Sequence, residues 1–216
     1  MSVEREAPAA GDVAGKLDWL RESIKTHSVG AADSTWAWIV DLSNRSKTDA
    51  SGADSDLNEL FRLGTTPTNL DGPTEGMLVM TTTNPAFDTV VRWITALWMP
   101  WQGKRFDNQS ATGDNRLTKS TGLVGKLLWP LYSMRDNIDG KLAFDFKTYV
   151  EPGKEDPDVD VMVIDYADIE SNPKLIIRSV RDELVELVPS VYLGKILFKT
   201  ESGYNKIGYF ALRMPR

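Results

Sequence analysis

The stretch Lys141-Leu-Ala-Phe-Asp-Phe-Lys-Thr-Tyr-Val150 decides the fold class. Leu142, Phe144, Phe146, Thr148 and Val150 fall on one face, and Lys141, Ala143, Asp145 and Lys147 on the other. Successive side chains of an extended chain point to opposite sides, so this period of two marks a half-buried antiparallel strand. Just upstream, Asp139-Gly140 is suited to supply the positive φ of a tight primed turn, and a hairpin is expected there. Segments rich in Val, Ile, Phe and Tyr continue to Met214, punctuated by Pro157, Pro173 and Pro189. The expectation is a mainly β chain with helices, of α+β class. From Gly76 onward it should form one antiparallel lipocalin-like barrel of roughly eight to ten strands.

The N-terminal part has a different rhythm. Asp12 to Thr26 reads as an amphipathic helix, with Asp12 as N-cap and Val13, Leu17, Leu20 and Ile24 at helical spacing. Asp33 to Leu42 carries Trp36 and Trp38, which alternate as in a strand, although Asp33 or Ser34 can cap a short helix; we read it as helix. Ser43 to Ser55 is polar and Ser/Asp/Ala-rich, the composition of a linker. A short helix follows from Asp56, closed by Gly64. Gly76 to Thr83 reads as a strand, and Asn84-Pro85 opens a helix reaching Trp98. Trp101 to Asp107 resumes as a strand, and Asp107 to Ser120 reads as a polar loop. The chain therefore divides into a helical lid or docking segment (1–42), a linker (43–55) and a barrel domain (56–216). A segment as short as 12–42 cannot bury its apolar stripe and two Trp alone, so it should cover an open barrel end or a partner subunit.

Composition excludes several function classes. The net charge of −6 argues against a nucleic-acid partner, because neutralising phosphates takes clustered Lys and Arg. No apolar run reaches the roughly 20 residues of a membrane span, and residues 1–15 lack the basic start and apolar core of a signal peptide. The absence of Cys removes disulfides, thiolate catalysis and Cys-bound metals, and a cytoplasmic protein is expected. With His27 as its single histidine, the chain cannot build a His-rich metal site, and no cofactor or metal is expected. Asp156, Asp158 and Asp160 alternate like half a calcium loop, but Pro157, Val159 and Val161 make a solvated turn the better reading.

No catalytic motif is present, and no catalytic residue can be assigned. What the residues offer is an apolar cavity with a few polar groups projecting into it. The aromatic candidates for its lining are Trp98, Trp101, Phe144, Phe146, Tyr166, Tyr192, Phe198 and Tyr209; the polar candidates are Arg105 and Arg178, with Arg178 as the anchor.

Short motifs carry a family resemblance. Leu57 to Gly64, Trp101-Gln-Gly-Lys-Arg-Phe-Asp107, Val163-Ile-Asp-Tyr166 and Tyr209 to Arg213 resemble the bacterial lipocalin-like proteins of the uncharacterised GXWXG type, loosely akin to nitrobindin. The chain departs at the signature, where Gly76-Met-Leu-Val replaces Gly-x-Trp-x-Gly, and it lacks the His of a nitrobindin-type haem site. The resemblance implies a small calycin-like barrel with an apolar cavity. The leading expectation is binding of a small hydrophobic molecule such as a lipid, terpenoid or polyketide. A cofactor-independent cyclase or isomerase acting in the same cavity is the alternative, and an interaction module with a filled barrel, able to self-associate as a homo-oligomer, is the third.

Overall fold

The computed structural model describes residues 11–82, 84–98, 101–119, 132–138, 140–174 and 176–216. Asp12 accepts a hydrogen bond from the Gly15 N–H (2.8 Å) and caps α1 (Val13–Arg45). The helix does not end at Thr26. Lys16 Nζ lies 4.5 Å from the ring centre of Trp38. Along a straight helix those residues would be roughly 33 Å apart, so α1 doubles back and its two arms lie side by side. Both arms contribute to one buried apolar cluster, Val13, Leu17 and Leu20 from the first and Trp38, Ile39 and Leu42 from the second.

The expected linker is folded chain. Residues 43–45 complete α1, and Asp49 accepts from the Gly52 N–H (2.9 Å) to cap α2 (Ala50–Arg62). Short polar residues suit caps and linkers equally, which is why composition misplaced this segment. Ser43 also donates to the Val79 carbonyl (2.6 Å), tying the end of α1 to the sheet.

Ten strands form one antiparallel sheet: β1 (Gly72–Pro73), β2 (Glu75–Thr81), β3 (Trp101–Asp107), β4 (Thr112–Leu117), β5 (Arg135–Asn137), β6 (Gly140–Pro152), β7 (Asp160–Asp165), β8 (Val180–Val188), β9 (Val191–Thr200) and β10 (Gly203–Arg213). Their order is β1-β3-β4-β6-β7-β8-β9-β10-β2, with β5 paired to β6. Because β1 and β2 are consecutive in the chain, the two ends of that order meet and the sheet forms a nearly closed barrel. Helix α3 (Asp88–Trp98) follows a short turn of 3₁₀ helix opened by Asn84-Pro85.

Two local expectations are corrected. The polar run 107–120 contains β4, whose Asn115 and Leu117 face the interior. The β5–β6 hairpin forms, but Asn137 pairs with Gly140, so Gly140 closes the turn instead of occupying a central position, and it has no positive φ. Asp139 lies outside the described residues.

The sheet buries both faces. Inside, Phe106, Phe144, Phe146, Ile164, Tyr166, Leu184, Ile196 and Phe210 form one cluster. Outside, Val161, Val163, Val185, Leu193, Tyr209 and Ala211 pack against α1 and α2. The helical segment thus lies against the outer wall; none of its described residues lines the central cavity. Asp156, read as part of a solvated turn, is buried in this outer layer and pairs with buried Lys195, which also donates to Asn58 (2.6 Å) of α2.

The seam of the barrel is stitched at one residue. The Thr74 N–H and hydroxyl both donate to the Lys104 carbonyl (2.8 Å each), and the Lys104 N–H donates to the Thr74 hydroxyl (3.0 Å). This approach depends on Gly103, at φ 135°, where a Cβ would sit 2.2 Å from the Thr74 carbonyl oxygen. Gly203 shares a positive φ (122°) but has open space around it. Gly103→Ala should therefore lose about 1–3 kcal/mol more stability than Gly203→Ala, the cost of forced overpacking. Urea denaturation of the two variants checks this; equal losses would mean that the seam is not tightly closed.

Candidate active or binding site

Strand β3 aims a lysine into the barrel. Pairing of β3 with β4 shifts register between Trp101 and Gly103, so one extra residue, Gln102, is accommodated. Without the bulge Trp101 and Lys104 would face opposite sides; with it, both line the interior, and Lys104 is 1% exposed.

Around the ammonium the polar groups converge. Lys104 Nζ is 2.9 Å from Asp182 Oδ2 and 3.0 Å from Asn115 Oδ1, and it donates to the Tyr166 hydroxyl. All three N–H groups of an ammonium are thereby used. Tyr166 in turn donates to Asp182 Oδ2 (2.9 Å), and the Trp101 indole N–H donates to Asn115 Oδ1 (3.0 Å). Asn115 completes the network by donating to the Phe144 carbonyl (3.1 Å). Phe144 stands at a sterically strained φ of 53°, and Tyr132 stacks on its ring at 5.2 Å.

Four aromatic rings, those of Trp101, Phe146, Tyr166 and Phe210, surround the ammonium at 5.2–5.7 Å. Three of them lie over glycines: Trp101 over Gly76, Phe146 over Gly113 and Phe210 over Gly194, where a Cβ would come within 2.2–2.4 Å of the ring. The glycines leave the space that brings the rings to the lysine.

Burial pushes the Lys104 amine down, with the Asp182 charge opposing it. The Tyr166 phenol is held well above its ordinary value by burial and by the same carboxylate, so it stays protonated. Asp182 Oδ1 is buried and has no hydrogen-bond partner among the described residues. Beside this network lies a cavity of about 50 Å³, completed by the apolar side chains of Leu117, Phe144, Ile177, Val180 and Ile196. A water needs roughly 10–15 Å³, so the space takes a few heavy atoms.

The sequence-derived candidates divide. Trp101, Phe144 and Tyr166 line this cavity, and Phe146 lies beneath it against Lys104. Arg105 faces outward, half-exposed and paired with Asp114, because inward positions on β3 belong to Lys104 and Phe106. Arg178 is no anchor: its guanidinium is spent on the carbonyls of Asn172 (2.9 Å) and Glu170, pinning the loop before β8. Tyr209 belongs to the outer cluster, where its hydroxyl accepts from Lys206 (2.9 Å). Tyr192 is buried in the inner cluster but pairs with Glu186, away from the cavity wall, and Phe198 packs on that cluster without lining the cavity. The side chains of Trp98 and His27 lie outside the described residues. Lys104, Asn115 and Asp182 went unread, since the bulge inverts the facing of Lys104 and Asp182 sits in a charged block, Arg181-Asp-Glu183. The one available signal was Asp182 alternating with Val180 and Leu184.

No family model and no curated protein matches the chain. A solved protein structure from Thermomonospora curvata is similar at a TM-score of 0.42 and 13% identity, covering 82% of this chain and 99% of that one. Among the described residues no helix is long and apolar enough to cross a membrane, and no group of three or more His, Cys, Asp or Glu could hold a metal ion.

The phenols give a pH signature. Burial pushes Tyr132 up to about 12 and raises Tyr166, Tyr192 and Tyr209 as well. A phenol whose folded pKa exceeds the unfolded value near 10 contributes stability that is full below about pH 10 and lost as pH rises through the folded value. Phenolate absorbance from these four should therefore appear together with loss of far-ultraviolet dichroism above about pH 11. Titration of all four near pH 10 in an intact fold would contradict their burial.

Proposed function

We propose that the barrel is a receptor for a small, mainly apolar molecule that presents a hydrogen-bond donor to Asp182. The observation that carries this reading is the buried Asp182 Oδ1, unpartnered among the described residues, beside a cavity whose other polar lining groups, Lys104, Asn115 and Tyr166, are hydrogen-bonded to one another and whose remaining described walls are apolar. A buried acceptor without a donor costs about 1–3 kcal/mol, and a ligand donor recovers it. The cavity's size sets the scale of the ligand: a few heavy atoms, or the terminal group of a longer lipid-, terpenoid- or polyketide-like chain. Kinship with lipocalin-like proteins and a cytoplasmic setting are parts of the same proposal.

One observation favours a second reading, a cofactor-independent isomerase or cyclase. Tyr166 donates to Asp182 and accepts from Lys104, so an acid and a base already share a hydrogen bond at the cavity wall. In that case Asp182 acts as base and Tyr166 as acid on an enclosed substrate. Recovery of an added ligand in altered form separates this reading from simple binding.

The receptor reading is tested by titrating the protein with propan-1-ol and with methoxyethane, a similar-sized ether lacking the donor. Binding is followed by the methyl NMR shifts of Ile177, Val180 and Ile196. The alcohol should bind at least about fivefold more tightly, as expected for a buried acceptor left unpaired by the ether. Equal binding of the two, or binding of neither, would contradict it.

A further inference from the structure

We propose that the cavity selects an uncharged hydrogen-bond donor, such as an alcohol, over amines and carboxylates, and that the Lys104–Asp182 pair sets this selectivity. The inference rests on the receptor reading above and specifies the chemistry of its ligand.

Charge bookkeeping inside the barrel is short. Of the described residues lining the cavity, those that titrate are Lys104, Tyr166 and Asp182. Tyr166 is a neutral phenol. Lys104 and Asp182 sum to zero, whichever of them holds the proton between them. Of the other described lining residues, Leu117, Phe144, Ile177, Val180 and Ile196 offer nothing to a charge, and the polar groups of Trp101 and Asn115 are engaged with each other, with Lys104 and with the Phe144 carbonyl. The neighbouring ionic groups are engaged elsewhere: Arg105 with Asp114 on the outer side, and Arg178 with loop carbonyls.

Three kinds of ligand then fare differently. A carboxylate finds no free donor, since Asp182, Asn115 and Tyr166 occupy all three Lys104 N–H groups. An ammonium can reach Asp182 Oδ1, but Lys104 has already neutralised that carboxylate, so the ligand's charge is added to a low-dielectric interior without compensation. A neutral donor satisfies Oδ1 and leaves the charge balance unchanged. Lys104 is therefore a specificity-determining residue: it touches no part of the ligand's donor, yet it cancels the charge that would otherwise attract a cation.

An isosteric set of probes tests this: propan-1-ol, propylammonium and propanoate at matched ionic strength, read by the methyl shifts of Ile177, Val180 and Ile196. Wild type should bind the alcohol at least tenfold more tightly than either ion. Lys104→Met leaves Asp182 uncompensated and should reverse the alcohol–ammonium ranking, whereas Asp182→Asn leaves Lys104 uncompensated and should move the ranking toward propanoate. The double variant, neutral again, should return the preference to the alcohol. The double variant and the wild-type ranking decide the matter if a single variant does not fold. Wild-type binding of propylammonium as tight as that of propan-1-ol, or folded variants that keep the wild-type ranking, would overturn the charge-selectivity inference while leaving the receptor reading standing. Failure of all three probes to bind wild type would overturn the receptor reading, and this inference with it.

Discussion

A lysine ammonium buried inside a β-barrel has to be neutralised and fully hydrogen-bonded, and much of this interior is arranged to do so. Lys104 is supplied with a carboxylate, an amide oxygen and a hydroxyl, drawn from β8, β4 and the end of β7. Taking one partner away would strand a buried charge at a cost of about 3–5 kcal/mol, a large fraction of the stability of an ordinary domain. The same residue's backbone is the point at which Thr74 closes the barrel. Closure of the sheet and assembly of the polar network are therefore one event: the strand that seals the seam also fixes the height and direction of the lysine.

The outer wall uses a similar device for a different end. Lys195 projects from the opposite face of the sheet, fully buried, and is held by Asp156 and by Asn58 of α2 over the ring of Phe61. There the buried charge registers a helix against the sheet. On the inner face, by contrast, Asp182 keeps a buried oxygen without a partner among the described residues beside the cavity. Phe87, Val90 and Val91, from α3 and the turn that opens it, pack on the inner cluster.

Strand alternation and the Asp12 cap made the barrel and the start of its helical layer legible in the sequence. Period-two reading works while pairing stays regular, as along β7 into Tyr166, whereas Phe144 reaches the interior at a register shift between β4 and β6. It fails at bulges, because one extra residue inverts every facing beyond it. The shift after Trp101 hides Lys104, and a shift between Lys206 and Gly208 in β10 places Ile207 inward and Tyr209 outward although they are two residues apart. Ser43 to Ser55 failed for another reason: cap residues and linker residues are the same short polar types, and only tertiary contacts distinguish them. Arg178 was chosen as a cation near apolar strands, but carbonyl groups in its own loop claim it.

The most direct measurement is the coupling free energy between Lys104 and Asp182, from urea denaturation of wild type, Lys104→Met, Asp182→Leu and the double variant. A buried pair on which the barrel depends should give single losses of about 3–5 kcal/mol each and a double variant that loses far less than their sum, because replacing both charges with apolar groups leaves no buried charge, only the Tyr166 hydroxyl without its acceptor. Single losses that simply add in the double variant would contradict the pair's role as the charge-balanced centre of the barrel.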